Sequence, residues 1–340
     1  MSAAAFDDAR LEADDVASQG ILHHLAGAGA RIRRASLSEP VGRLERADRP
    51  RGVLVLGAEA RLVRAVLEPT CPVPFMAWPG PMLPAWVGPL DLVVVLGDHR
   101  AYQWEVECAA EAARRGAMVI VAAPVDSALT AAAASSGTTL IPTNDGDPMA
   151  AAVAVLSLLG QLALGPAVYA EHVADAADLV ADRCSPFRAI GRNPGKDMAI
   201  GIGEGLPLVW GGTVLAARAS RRIAENLRRA SGRPALAADA DELEAVMRGV
   251  TPIDPFADPF ESDVSLRPVL ILLDEEKVPE RLAEVPIRLS HVAESVGVRV
   301  CRISSGDLRL GSTDVERYVT LLQHGRYAAA YLGIGLGRVD

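Results

Sequence analysis

The sequence predicts an α/β protein built on mainly parallel sheets, and three observations carry that reading. Half of the 340 residues are hydrophobic while aromatic residues make up only 4%, an aliphatic balance that suits helices packed on strands buried on both faces. Runs such as GVLVLG at 52–57, LDLVVVLG at 90–97 and PVLILLDEE at 268–276 are near-continuous stretches of aliphatic residues rather than alternating ones. Helix-period stretches separate these runs, and such an alternation is met by a doubly wound parallel sheet.

Taken in order, residues 7–35 are expected to be helical in two pieces, broken at Gly20 or at Gly27 and Gly29. His23 and His24 are adjacent there, and neighbours on a helix project in different directions, so no shared metal is expected of them. Strands follow at 52–57, 73–78, 90–97, 117–123 and 138–143, with helices to about Leu67, from about Tyr102 to Arg115 and over 126–135. The segment WPGPMLPAWVGPL at 78–90 is too apolar for an idle linker; it covers a cleft or interface, or packs over the sheet end. Asp147-Pro148 opens a helical region to about Cys184 with a break at Gly165-Pro166, and NPGKD at 193–197 marks a passage into the second half.

The second half repeats the plan. Strands are expected at 206–210, 233–238, 268–276 and 298–303, with helices after Thr213, around Asp241–Arg248, over 279–296 and over 313–329. Prolines and acids concentrated at 251–263 make that stretch a surface loop. Arg326 and Tyr327 read as polar tips of the closing helix. The chain thus divides into an N-terminal helical segment (1–48), a first sheet domain (49–150), connecting helices (151–198) and a second sheet domain (199–340).

A formal charge of −9 and a pI near 5.3 argue against nucleic acid or an anionic membrane as partner, because both need a positive field. Cys71, Cys108, Cys184 and Cys301 show no CxxC spacing and the histidines no HExxH pattern, so neither a zinc site nor a disulfide framework is expected. No run has the length of a membrane span or the apolar core of a signal peptide, and the expected location is the cytoplasm.

Leu206–Arg229 concentrates the functional signals. An apolar strand closes at Gly211-Gly212, Thr213 is a candidate N-cap, and Ala216, Ala219, Ile223, Leu227 and Ala230 share one helical face. A helix N-terminus at the carboxyl end of a strand offers unpaired N–H groups to an anion such as a phosphorylated small molecule. Glu225 is the candidate acid/base residue of this unit, although Arg218, Arg222 and Arg229 share its polar face and would equally make an ordinary salt-bridged surface. Neither half carries GxGxxG or GxxxxGK[ST]. The first strand ends in Gly57-Ala58-Glu59 and the third in Gly97-Asp98-His99-Arg100, so negative charge stands where a phosphate needs donors, with Arg100 as an offset. Ser304-Ser305-Gly306 is a further hydroxyl-bearing strand end.

With these residues in view, the chain resembles a divergent member of the bifunctional phosphoglucose/phosphomannose isomerase family, built from two sugar-isomerase (SIS) domains. The likeness runs nearly end to end. It is strongest in NPGKDMAIGIGEGLPLVWGGTVLAARASRRIAEN and in the tail YVTLLQHGRYAAAYLGIGLGRVD, and GILHHLAGAGARIRRA is similar to the family's opening. The resemblance implies aldose–ketose isomerisation of a hexose 6-phosphate without metal or other cofactor: a histidine opens the ring, a glutamate moves a proton between C1 and C2, and Ser/Thr-rich loops hold the phosphate. It also implies a homodimer, since family sites are built between subunits.

Position by position much of that machinery is replaced. Glu225 with Asn226 matches the family's Glu-Asn, and a carboxylate of slightly raised pKa would suit that base. The histidine-bearing PExNHNE segment falls on 237–243, placing Asp241 or a neighbour where the imidazole would stand. The phosphate loop SxSGNTxET becomes GDHRAYQWE at 97–105 with no Ser or Thr, and the first glycine-rich turn becomes GAEAR. Each lost charge-assisted hydrogen bond is worth about 1.5–3 kcal/mol. The sequence stops at Asp340, short of the family's C-terminal lysine. The pattern is similar to that of a TobH-like actinobacterial branch. The expectation is a carbohydrate-derivative-binding protein with Gly57, Arg100, Gly211, Gly212, Thr213 and Asn226 as ligand contacts and with little or no isomerase activity. Two alternatives stand beside it: an altered isomerase using Glu225 with Asp241 or another subunit's histidine, and a dimeric scaffold without ligand.

Overall fold

The computed structural model describes residues 5–37, 49–97, 101–143, 147–250, 267–275, 278–306 and 312–338. The chain forms two compact units, residues 28–175 and residues 1–27 with 176–340. The α/β class with parallel sheets flanked by helices is what the structure has.

In residues 28–175 the elements are α2 (Ala28–Leu37, following α1 at Gly20–Ala26 of the other unit), β1 (Val53–Gly57), α3 (Ala60–Leu67), β2 (Phe75–Ala77), β3 (Leu92–Leu96), α4 (Gln103–Arg114), β4 (Met118–Ala123), α5 (Ala128–Ala132), β5 (Thr138–Pro142) and α6 (Pro148–Gln161). The sheet order is β2-β1-β3-β4-β5, parallel throughout, with Val53 opposite both Phe75 and Leu92. Every residue of β3 is buried, as the continuous aliphatic run requires of a strand covered on both faces. On one face Leu54, Leu56, Val93, Val95, Val119 and Val121 meet Cys108, Ala109 and Ala112 of α4 and Leu129 and Ala133 near α5. Fully burying each such Val or Leu contributes roughly 1.5–3 kcal/mol.

The apolar 78–90 segment belongs to this core. Leu83 and Val87 are buried in it, Arg115 donates to the Pro84 carbonyl at 2.7 Å and Arg51 to that of Trp86 at 2.7 Å. It therefore packs on its own sheet. Fully buried Asp91 is held there by Arg51 at 2.6 Å and by the Gly88 N–H at 2.9 Å. α6 is apolar nearly all round and is buried accordingly. Its start is fixed by Pro148 at N1 and by Asp147, which caps Met149 N–H at 2.9 Å and pairs with Arg31 at 2.6 Å.

The other unit contains α1, the end of α7 (Ala170–Arg183), α8 (Pro194–Ile202), β6 (Leu206–Gly211), α9 (Val214–Ser231), β7 (Leu236–Ala237), α10 (Ala240–Arg248), β8 (Pro268–Asp274), α11 (Glu280–Ala283), α12 (Val285–Ser295), β9 (Arg299–Ser304) and α13 (Asp314–Gly335). Its sheet order is β7-β6-β8-β9, again parallel. α10 and α12 cover the face that carries Leu208, Trp210, Leu270 and Leu272. α9 covers the opposite face, where a Cβ on Gly211 would lie 2.4 Å from the Ala216 backbone, and α13 packs on α9 and α8. α8 occupies what reads in sequence as a mere passage: Asn193 accepts from the N–H groups of Gly195 and Lys196, both at 3.0 Å, and Pro194 starts the helix. Tyr327 is not a polar tip. It is 1% exposed, beneath α8 at Gly195.

Candidate functional site

The residues singled out in sequence fall into separate places. Gly211, Gly212 and Thr213 form the turn from β6 into α9 at the carboxyl edge of the sheet, where β7 and β8 leave β6 in opposite directions. Thr213 accepts from Ala216 N–H at 3.2 Å and donates its hydroxyl to the Glu275 carboxylate at the end of β8. Burial pushes the Glu275 carboxyl above the ordinary carboxylate range, against the opposing pull of the Thr213 hydrogen bond and of Arg317. Gly57 holds the equivalent corner of the other unit. Its φ is +106° and a Cβ there would lie 2.0 Å from the Leu96 carbonyl oxygen, so the close passage of β1 by β3 demands glycine. Glu59 is fully buried one residue beyond Ala58. Arg100 and the 251–263 loop lie outside the described residues.

Glu225 and Asn226 sit about 18 Å along α9 from Thr213, toward the opposite edge of the sheet. The turn and the carboxylate therefore do not share one site. Both oxygens of Glu225 are occupied, one by Arg222 at 2.7 Å and the other by Arg229 at 2.6 Å. Burial works to raise its pKa, but Arg222, Arg229 and Arg218 outweigh it and hold the carboxyl below the usual range. That reverses the raised value expected of a proton-transferring base. Asp241 is exposed on α10 and pairs with Arg288 of α12 at 2.7 Å. Within one chain the sheet lies between it and Glu225.

Beside Glu225 a groove of about 710 Å³ opens between α1, α9 and α13. Asn226, Arg229, Arg326 and Arg338 give it polar walls, with His24 of α1 at its edge and small residues such as Ala330 and Gly333 at its floor. The Asn226 amide nitrogen is buried without a hydrogen-bond partner. Arg229 is matched by Glu225, whereas Arg326 and Arg338 have no carboxylate partner among the described residues, so the groove is cationic. Arg338 also rests on Gly232, the left-handed residue that ends α9, where carbonyl dipoles favour a cation. Sequence reasoning did not place Arg326 or Arg338 at a ligand. The i, i+3, i+4 spacing of Arg326, Ala329 and Ala330 is the signal that puts Arg326 on this face. The four cysteines are free, and Cys184, pushed up to about 12 by burial, is no nucleophile. Among the described residues no His/Cys/Asp/Glu group could hold a metal ion, and no helix is long and apolar enough to cross a membrane.

Two parallel-sheet units of this kind define the fold found in solved phosphosugar isomerases and related sugar-phosphate enzymes. The C-terminal domain of glucosamine-fructose-6-phosphate aminotransferase from Francisella tularensis matches with a TM-score of 0.63 at 10% identity, over 93% of this chain and 96% of that one. Tagatose-6-phosphate ketose/aldose isomerase from Escherichia coli matches with a TM-score of 0.63 at 11% identity (93% and 89% covered), and a glucose-6-phosphate isomerase like protein from Thermus thermophilus with 0.53 at 16% (95% and 92%). No protein-family model and no curated protein sequence matches the chain.

Proposed function

We propose that the protein binds a phosphorylated carbohydrate derivative in the α1/α9/α13 groove and does not turn it over efficiently, as a homodimeric cytoplasmic member of an eroded, TobH-like branch of the isomerase family. The observation that carries this reading is Glu225 clamped between two guanidiniums. A base that moves a proton between C1 and C2 needs a free oxygen and a pKa near the working pH, and this carboxylate has neither. Its role is to orient Arg229, while Arg326 and Arg338 supply the charge for a phosphoryl group and the Asn226 amide a donor for a sugar hydroxyl.

The decisive assay follows interconversion of fructose 6-phosphate with glucose 6-phosphate and mannose 6-phosphate. The expected rate is background for the wild type and for Glu225→Gln alike; turnover abolished by that substitution would make Glu225 the base of a working isomerase. Calorimetry with glucose 6-phosphate tests the binding half. Arg326→Ala is expected to weaken affinity about tenfold or more, the worth of one charge-assisted hydrogen bond, and equal affinities would remove the groove from consideration.

A further inference from the structure

A second cationic pocket lies on the other side of α13, and neither the isomerase resemblance nor the groove above accounts for it. It is about 430 Å³ and is lined by Arg183 at the end of α7, Arg192, Pro194 and Met198 of α8, Arg302, Ile303 and Ser304 of β9, and His324 of α13. Three guanidiniums from three separate parts of the chain converge here. Asp274 accepts from Arg302 Nη1 with both oxygens at 3.0 Å. Arg192 is exposed and has no carboxylate partner among the described residues, so it brings to the pocket a positive charge that invites an anion.

The other lining groups refine the ligand. The Ser304 hydroxyl oxygen accepts from Gly306 N–H at 3.0 Å, which leaves its O–H to donate. A ring nitrogen of His324, Nδ1, lies 3.0 Å from the Thr320 carbonyl of its own helix, which holds the imidazole at the pocket wall. The positive end of α8 begins at Pro194. Guanidiniums in forked geometry with a hydroxyl donor match phosphoryl oxygens. The volume exceeds what a bare phosphate fills and falls within the range of small-molecule sites, and Pro194, Met198 and Ile303 form an apolar wall for an organic remainder.

We propose that this pocket is a second anion site, which takes a small phosphate monoester with its phosphoryl group among Arg183, Arg192, Arg302 and Ser304 and its organic part against Pro194, Met198 and Ile303. It is independent of the α1/α9/α13 groove.

The test is calorimetric titration of the full chain with glycerol 3-phosphate and, separately, with inorganic phosphate. Arg192→Ala is suited to it because an exposed arginine with no carboxylate partner among the described residues can be removed with the fold intact, and a thermal melt verifies that. The expected result is one binding event that Arg192→Ala weakens about tenfold or more, that Ser304→Ala weakens less, and that Arg326→Ala in the other groove leaves within about twofold. Glycerol 3-phosphate should bind tighter than inorganic phosphate. Affinity unchanged in Arg192→Ala and Ser304→Ala, or binding lost only in Arg326→Ala, overturns the second site while leaving the groove reading standing. Binding weakened by Arg192→Ala and not by Arg326→Ala is the expected outcome and leaves the groove to its own test, glucose 6-phosphate titrated against Arg326→Ala.

Discussion

The two carboxyl-edge corners of the molecule, at β1/β3 in one unit and β6/β8 in the other, occupy the same topological position and are closed by different means. In open parallel sheets this is where ligands ordinarily bind. At β1/β3 the closure is steric: Gly57 passes the Leu96 carbonyl too closely for any side chain, and a carboxylate, Glu59, is buried behind it. At β6/β8 the closure is chemical, a Thr213 hydroxyl given to the Glu275 carboxylate. Among the described residues, a carboxylate stands at each of these corners, Glu59 at one and Glu275 at the other. Several arginines instead line two cavities on either side of α13.

Substitutions at the two corners should separate steric from chemical closure. The largest effect is expected of Gly57→Ala, which combines a left-handed φ with a clash against backbone; about 2–4 kcal/mol of stability should be lost, read by denaturant unfolding. A loss under about 1 kcal/mol would mean that β1 and β3 can move apart and that the corner is not shut. Thr213→Val removes a helix cap and a partner of Glu275 while keeping the shape, and should cost about 1–2 kcal/mol, largely recovered in Thr213→Ser. Equal losses in the two variants would show that the hydroxyl is not what holds this corner.

The smallest effect concerns pH. A carboxyl whose folded pKa is raised contributes stability that is fully present below its unfolded value and is lost as pH rises through the folded one. Glu275 is such a group, so Glu275→Gln should gain on the wild type in melting temperature as pH goes from about 5 to about 8. Glu225 has the opposite sign: its contribution is present above the unfolded value and is lost as pH falls through the folded one. A Glu275→Gln difference that does not change with pH would show that burial at this corner does not disfavour the charge.

The frame was legible from sequence because buried parallel strands announce themselves as aliphatic runs. The strands among the described residues lie within about two residues of those runs, although β7 shortens to Leu236–Ala237. The α8 helix was missed because Gly195, Lys196 and Asp197 read as turn chemistry, although Asn193 followed by Pro194 is a helix-start signal. The α13 helix runs to Gly335, past the expected end at 329, because the glycines in YLGIGLG are packing positions: Gly333 and Gly335 lie against Ala230 and Phe6. Of the residues at the groove, Glu225 stood out on the polar face of α9 and Asn226 through the resemblance. Nothing local joins Arg192 to Arg302, or Arg229 to Arg326, since those neighbours are made by tertiary packing and not by spacing.

One contact ties the opening segment to α13. The Asp7 N–H donates to the Gly335 carbonyl at 3.0 Å, and the Phe6 ring lies where a Gly335 side chain would be. During synthesis this contact therefore cannot form until α13 has emerged from the ribosome, long after residues 6 and 7. Both cationic cavities are walled by that same helix, so neither is complete in a chain that lacks α13.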